Sequence, residues 1–212
     1  MRAFLLMLSL CAAGLLALAG TSVAGQPVTQ TLNPPPPPYE QCKAVGTGTI
    51  CQGTTDFSYG PIDTALEGPA LVCGSGSSAF DVYDSAIGNS TARRIYDANG
   101  NLVKRFRYDQ TTDGENINPL TGATVPYTST LTNIDVFTVP GDLGAATTTT
   151  TGHFTVRLPQ GAPVFVDTGR TVVTYDPTSF SVDFLSGRQD LFAYGFGDTS
   201  VLQPLCAALG AS

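Results

Sequence analysis

From Cys73 onward, short runs of β-branched and aromatic residues alternate with turn signals along the chain. Antiparallel sandwiches and barrels show this spacing, because each short strand ends at a turn rich in Gly, Pro, Asn or Asp. We therefore predict an all-β fold, a single antiparallel β-sandwich or partly closed β-barrel of about eight strands, with a short C-terminal helix. The candidate strands are Ala79–Asp84, Ala92–Tyr96, Leu102–Asp109, Thr124–Val139, Thr147–Leu158, Pro163–Asp167, Arg170–Tyr175 and Ser179–Leu185.

Two of these segments carry finer predictions. The run Thr124–Val139 is too long for one regular strand, so a bend or bulge is predicted at Thr132 and Asn133. Between the second and third candidate strands, Asn99-Gly100 favours a type I′ hairpin turn, because both residues tolerate positive φ.

One segment near the C-terminus has helical character. Asp198 is a suitable N-cap for Thr199–Leu209, and Gly210 is a natural stop after it. Pro204 lies inside this run, so we expect it to shorten or kink the helix.

Residues 1–24 have the features of a secretory signal peptide. Arg2 supplies the positive start, an apolar stretch follows, and the Ser-Val-Ala of residues 22–24 precedes a predicted cleavage site at Gly25. The apolar stretch is too short to be a convincing transmembrane span. We therefore expect a secreted, extracellular protein with no transmembrane segment after cleavage of the signal.

The cysteines agree with export. Cys11 lies in the predicted signal peptide, which leaves Cys42, Cys51, Cys73 and Cys206 in the mature chain. Four cysteines in an oxidising compartment indicate two disulfides, with three possible connectivities. The preferred pairing is Cys42–Cys51, which closes a local loop, with Cys73–Cys206, which ties the start of the folded domain to its end. No Cys-x-x-Cys occurs, so a zinc site is disfavoured and we expect neither a metal nor a cofactor.

The mature chain divides into three parts by composition. Residues 25–38 are a polar linker that ends in Pro34–Pro38, a run that favours a stiff polyproline II spacer. Residues 39–72 predict an extended, disulfide-pinned segment with short strands around Thr54–Tyr59. Residues 73–212 are the predicted β-domain.

Charge is sparse and predominantly acidic. The chain has 10 Lys and Arg against 17 Asp and Glu, and only 13% of its residues are charged. Loss of Arg2 with the signal leaves 9 basic residues against 17 acidic ones, a net charge of about −8. This balance argues against nucleic-acid binding, which requires a basic surface.

A local basic bias stands out in this acidic chain, because five of the basic residues lie in one predicted hairpin: Arg93, Arg94, Lys104, Arg105 and Arg107. Strand alternation places Arg105 and Arg107 on one face, with Phe106 and Tyr108 on the other. The stripe is a candidate anion-binding site for a cell-envelope polymer, an anionic glycan or a lipid headgroup. The alternative is a solvated strand face in which the basic residues pair with nearby aspartates.

Catalytic groups are scarce. His153 is the single histidine and has no Gly-x-Ser-x-Gly nucleophile motif to accompany it, so a surface histidine at a strand end is favoured over a catalytic base. The candidates for carboxylate chemistry are Asp81, Asp84, Asp113, Glu115 and Asp135. The oxygen-rich stretch 113–118 has the composition of a calcium loop, although turn chemistry explains the same residues and is favoured.

A series of short motifs between Cys73 and Leu209 resembles a group of small secreted β-rich proteins from actinobacteria and related soil bacteria, most of them uncharacterised. The motifs are Cys73-Gly74, Phe80-Asp-Val82, Arg94-x-Tyr-Asp-x-x-Gly-Asn101, Asn118-Pro-Leu-Thr-Gly122, Gly152-His153, Asp167-Thr-Gly-Arg170 and Leu205-Cys206-Ala207. The resemblance implies a signal peptide, a β-rich domain and a cysteine near the C-terminus. It implies no catalytic residue, cofactor or substrate.

The favoured function is that of a secreted, non-catalytic extracellular or cell-envelope protein, acting as a binding module. One alternative is a lipocalin-like carrier of a small apolar ligand, which requires an interior cavity lined by Phe and Tyr. Another is a carboxylate-dependent hydrolase of envelope polymers. That function requires two carboxylates to converge in a cleft, from the set Asp81, Asp113, Glu115 and Asp135.

Overall fold

The computed structural model describes residues 27–66, 71–158, 161 and 163–210. The predicted signal peptide, residues 1–24, lies outside the described residues. The strands are β1 (Gln41–Val45), β2 (Gly48–Asp63), β3 (Val72–Cys73), β4 (Phe80–Asp81), β5 (Tyr83–Tyr96), β6 (Leu102–Ile117), β7 (Thr124–Phe137), β8 (Ala146–Arg157), β9 (Pro163–Asp176) and β10 (Ser179–Ser186).

Eight of the strands form one antiparallel sheet, in the order β1-β2-β5-β6-β7-β8-β9-β10. Short connections favour this arrangement, because consecutive strands joined by a tight turn pair with each other. Strands β3 and β4 form a separate two-stranded ribbon between β2 and β5. The all-β prediction is confirmed. Within the described part of the chain no pairing joins β1 to β10, so the sheet is not a closed barrel.

The C-terminal helix prediction is confirmed, in two pieces. A 3-10 turn spans Thr199–Leu202, and helix α2 spans Gln203–Ala208 with Pro204 in its first turn, where its missing N–H costs no hydrogen bond. The Oδ1 atom of Asp198 accepts from the backbone N–H of Ser200 at 3.1 Å, as an N-cap does. A further short helix, α1 (Asp190–Gly195), was not predicted.

Several strands are longer than the sequence predicts. Strand β2 is 16 residues long where only short strands were expected, and β9 runs without a break through Thr168-Gly169, where a turn was expected. The bend or bulge predicted at Thr132 and Asn133 is wrong in its position. Strand β7 pairs regularly, and the register shift falls on its partner β6 between Thr111 and Gly114.

The hairpin between β5 and β6 turns at Asp97–Gly100. This turn starts earlier than the predicted turn centred on Asn99-Gly100, and its loop is one residue longer. The N–H of Gly100 donates to the carbonyl oxygen of Asp97 at 3.1 Å, and Gly100 has a φ of 82°. Asp97 Oδ1 also accepts from the N–H groups of Asn99 and Asn101, both at 2.9 Å. The aspartate therefore organises the turn, and a type I turn with a left-handed glycine replaces the type I′ turn.

Strand β7 shows which side of the sheet is covered. Its residues Val125, Tyr127 and Phe137 share one face by alternation, and all three are buried. The register places Gly114 of β6 and Val156 of β8 beside Tyr127, so the same face continues across neighbouring strands. We call this side of the sheet the inner face.

Two apolar clusters cover the ends of the inner face. At one end, Tyr127, Val156 and Phe165 pack with Leu205 and Leu209 of the C-terminal segment. Burial of a leucine side chain stabilises by roughly 1.5–3 kcal/mol, so these contacts hold the helical segment against the sheet. At the other end, the second cluster consists of Cys51, Tyr96, Leu102, Phe137 and Ala146.

The described part of the proline-rich linker lies against the sheet. Leu32 packs on the second cluster, and the backbone of Asn33 pairs with Gly100 and Leu102 through bonds of 2.8 and 2.9 Å. The Tyr96 hydroxyl donates to the carbonyl oxygen of Pro34 at 2.9 Å. This segment was expected to act as a spacer. The structure differs from that expectation, because the N–H and carbonyl groups of Asn33 form hydrogen bonds with the backbone on either side of the Gly100 turn.

Both preferred disulfides are present. Cys42–Cys51 joins β1 to β2, and Cys73–Cys206 joins β3 to α2. In the described residues, no helix is long and apolar enough to span a membrane.

The two disulfides are expected to differ in their contribution to stability. The bonded cysteines are separated by 133 residues in Cys73–Cys206 and by 9 in Cys42–Cys51. In the chain-entropy model, replacing both cysteines of the long bridge by serine lowers the free energy of unfolding by about 5 kcal/mol, against about 3 kcal/mol for the short one. Urea unfolding under non-reducing conditions measures both values. Equal losses for the two double variants would contradict this ranking.

Candidate functional site

Between the two apolar clusters, the inner face is polar and carries three ion pairs. The Nε atom of Arg94 lies 2.9 Å from Oε1 of Glu40, and Nε of Arg105 lies 2.6 Å from Oδ2 of Asp135. The third pair, Arg107 with Asp109, is more exposed and spans 2.7 Å. Thr148 adds a hydroxyl donor to Oδ1 of Asp135 at 2.7 Å. The buried carboxylate of Asp135 is therefore held from two sides.

The five residues of the predicted anion-binding stripe all lie on the β5–β6 hairpin, divided between its faces. Arg94 and Arg105 face each other across the two strands, and Arg107 shares their inner face. Arg93 and Lys104 lie on the opposite face, where the Lys104 ammonium group is 4.7 Å from the centre of the Phe106 ring. Each inward arginine has a carboxylate partner. Anion binding by the stripe stays a prediction.

The structure does not bring together the four carboxylates of the hydrolase hypothesis. Asp135 is buried on the inner face, whereas Glu115 is opposite Ser85 and Pro126 on the other face. Asp113 is exposed opposite Ile87, on the same outer face as Glu115, and Asp81 is exposed on β4. The hypothesis requires two carboxylates that flank one bond in a cleft, and an exposed strand face is not a cleft.

The predicted calcium loop is largely strand. Residues 113–117 belong to β6, so neither a loop nor a turn forms there, and only Asn118 follows the strand. Among the described residues no group of three His, Cys, Asp or Glu side chains is arranged to hold a metal ion. His153 is exposed in β8, opposite Thr130 and Thr168.

A cavity of about 420 Å³ opens on the inner face of β7, β8 and β9. Aromatic rings and threonines from the sheet form its main wall, and α1, the segment after β2 and the start of β5 close the remaining sides. The wall includes Leu131, Thr150, Phe154, Phe165, Asp167 and Val173.

Paired glycines make room at the centre of this wall. Gly152 of β8 lies opposite Gly169 of β9, and both have positive φ, at 136° and 112°. A Cβ atom on Gly152 would clash with the carbonyl oxygen of Thr130, and one on Gly169 with that of Ser186. The sheet can take this local bend only with glycine, so the row Leu131–Gly152–Gly169 lines a hollow instead of a filled core.

A hydrogen-bonded group lies at the side of the cavity formed by β5 and β6. The Tyr59 hydroxyl donates to Oδ2 of Asp84 at 2.9 Å. Burial raises the pKa of Tyr127 well above its ordinary value, with further increases from Tyr59 and Asp84, so its hydroxyl stays protonated. Asn116 is opposite Asp84 and is 3% exposed; its Nδ2 atom has no hydrogen-bond partner among the described residues. Leaving such a donor unsatisfied costs about 1–3 kcal/mol.

Asp167 is the second acidic residue of the cavity wall. Its Oδ1 atom accepts from the N–H of Leu191 at 2.9 Å, at the start of α1. Burial raises the pKa of Asp167 to about 6. The Leu191 N–H lowers this pKa, the charge of Asp190 raises it, and the Asp190 N–H and the Arg188 guanidinium lower it. Arg188 itself pairs with Asp190 at 2.7 Å.

Sequence reasoning missed both polar side chains that now define the cavity. Asp167 stands before a Thr-Gly pair that predicts a turn, and Asn116 lies in a stretch that predicts a loop. Strand alternation continued through Gly114 and Gly169 would have found these two residues, because it places Asn116 and Asp167 on the same face as the buried Tyr127.

No protein-family model matches the chain, and neither the curated proteins nor the solved structures contain a significant match.

The inner-face arginines are expected to differ in structural importance. The Arg105 side chain is 24% exposed and its partner Asp135 5%, whereas Arg107 is 44% and Asp109 23% exposed. Arg105→Leu leaves a buried carboxylate unpaired and should lower the free energy of unfolding by about 3–5 kcal/mol. Arg107→Leu should cost less than about 1 kcal/mol. Urea denaturation of both variants checks this, and similar losses would refute it.

The raised pKa of Asp167 predicts a pH-dependent stability. The ordinary pKa of an aspartate is 3.8, so between pH 4 and 6 this carboxyl group is ionised in the unfolded chain but still largely protonated in the folded one. The free energy of unfolding therefore falls as pH rises through this range. Asp167→Asn keeps an acceptor for Leu191 and removes this loss. The melting temperature of the variant minus that of the natural protein should therefore increase from pH 4 to pH 7.

Asp183→Asn is the matched control with the opposite sign. Hydrogen bonds from Thr174 and Ser181 lower the pKa of Asp183, so this carboxylate stabilises above its unfolded pKa and the contribution disappears in acid. Its melting-temperature difference should fall as pH rises through the acid range below about pH 4 and stay nearly constant from pH 4 to pH 7. The same slope for both variants would contradict the assignment.

Proposed function

We propose that this protein is a secreted, non-catalytic binding protein whose inner-face cavity holds a small, largely apolar molecule. The observation that carries the proposal is the cavity of about 420 Å³, walled by Phe154, Phe165 and Phe192 together with Tyr175. Ligand pockets commonly span roughly 300–1,000 Å³ and combine an apolar lining with a few polar groups. The cavity has this size and this composition.

The open interior supports the alternative function of a lipocalin-like carrier of a small apolar ligand. A protein of this size normally fills its core at the density of an organic crystal, and a hollow forfeits the contacts of its lining atoms. Gly152 and Gly169 keep the hollow open, because a side chain on either residue would clash with the backbone of a neighbouring segment. A ligand that fills the space recovers those contacts and gives the cavity a function.

Export is the part of the proposal that rests on the sequence. Two disulfides are compatible with an oxidising compartment, and the signal-peptide pattern of residues 1–24 indicates the route. Hydrolysis of envelope polymers is less well supported, since Asp135 is buried on the inner face, Asp113 and Glu115 lie on the outer face of β6, and none of the four candidate carboxylates lines the cavity.

A neutral fluorescent probe, N-phenyl-1-naphthylamine, tests the proposal. The natural protein should bind it with a blue-shifted, saturable increase in emission. Val173→Trp places a large ring inside the cavity and should weaken binding about tenfold or more, since overpacking costs about 1–3 kcal/mol.

Val172→Trp is the control, because Val172 is the preceding residue of β9 and lies on the other face of the sheet. This variant should bind the probe as the natural protein does. Melting curves of both variants verify that they are folded. A natural protein that gives no saturable signal, or equal binding by the two variants, would overturn the proposed function.

A further inference from the structure

We propose that the ligand of this cavity carries a protonated amine, which Asp167 binds, on an apolar body. The inference rests on the proposed function and adds the chemical class of the ligand. Three observations carry it: the charge of the lining, the position of the aromatic rings, and the unpaired state of the carboxylate.

The charged residues of the cavity lining are both acids. Among the described residues that form the wall, Asp84 and Asp167 are charged, and none is Lys, Arg or His. The nearby cations are already engaged, Arg188 by Asp190 and Arg105 by Asp135. In a partly desolvated space a fixed negative charge strongly favours a cation over an isosteric neutral group.

The Asp167 carboxylate has no ion-pair partner within the described chain. One of its oxygens accepts from the Leu191 N–H, and this bond holds the side chain in position at the start of α1. A carboxylate accepts several hydrogen bonds, so capacity for an ammonium group remains after this one. The nearby Arg188 is held by Asp190 and compensates this half-buried carboxylate only in part, so a ligand cation supplies a further countercharge.

Aromatic rings lie directly beside this carboxylate. Phe154 is opposite Asp167 in the β8–β9 register, with its ring centre 6.1 Å from that of Phe165 and 4.8 Å from that of Tyr127. The faces of such rings attract cations, and their bulk buries the apolar body of the ligand. An amine with an aromatic or aliphatic tail satisfies the carboxylate and the rings together.

The groups that face Asp167 also set the pH range of binding. Asp190 and Leu191 approach from α1, Arg188 from the preceding loop, and Phe154 from β8, while His153 lies on the other face of that strand. With a pKa of about 6, Asp167 is ionised above neutrality and becomes protonated in mild acid. Amine affinity should therefore fall about tenfold from pH 7.5 to pH 5, a range in which a primary alkylamine itself stays protonated.

The test uses three probes with the same phenylbutyl body: 4-phenylbutylamine, 4-phenylbutan-1-ol and 5-phenylpentanoate. Displacement of N-phenyl-1-naphthylamine gives their relative affinities for the natural protein, which should bind the amine at least tenfold more tightly than the alcohol and the carboxylate most weakly. Asp167→Asn should lower amine affinity to that of the alcohol and leave alcohol affinity unchanged.

The outcomes separate the two proposals. Equal binding of amine and alcohol, or an amine preference that survives in Asp167→Asn, overturns the cation inference and leaves the cavity as a neutral binding site. Failure of all three probes and of the fluorescent probe overturns the proposed function itself. Asp183→Asn, which removes a fully exposed carboxylate of β10, is the charge-matched control and should retain the natural preference.

Discussion

The continuous antiparallel pairing from β5 to β9 is the constraint on which the rest of the structure depends. Side chains alternate strictly between the faces of a strand, so a register shift of one residue would exchange the inner and outer sets. The row Ala86–Gly114–Tyr127–Val156–Phe165 is buried across all five strands and can lie inward in only one register. The same register places Asp167, Thr150 and Leu131 around the hollow.

The inner face is built in three zones, and their order has an energetic reason. Apolar clusters at both ends exclude water and supply most of the hydrophobic stabilisation. The zone between them holds Arg105 with Asp135, a pair whose charges are satisfied by each other and by Thr148. Removing one partner of such a pair is strongly destabilising, because it leaves an uncompensated buried charge. The polar zone is therefore compatible only with arrangements in which Arg105 and Asp135 meet.

Much of the fold could be predicted from local patterns. The all-β class follows from runs of Thr, Val and aromatic residues between turns. Of the three connectivities that four cysteines allow, the preferred one, with a local bridge and a long bridge, is the one present. Strand length could not be predicted, because Gly88 falls in a gap between candidate strands, and Gly114 and Gly169 lie in stretches with turn chemistry. In the folded chain these glycines lie within strands, where Gly88 and Gly114 adjoin the rings of Phe57 and Tyr127. The cavity was beyond prediction for a related reason, since its lining comes from strands whose register no local pattern specifies.

The Cys73–Cys206 bridge has a consequence for the order in which the protein matures. Its second cysteine lies in α2, 133 residues after the first, so the bond cannot form until every strand of the sheet has been synthesised. The segment that covers one end of the inner face therefore becomes available only after all the strands that it covers. Oxidation of this bond fixes that cover in place over strands that are already able to pair.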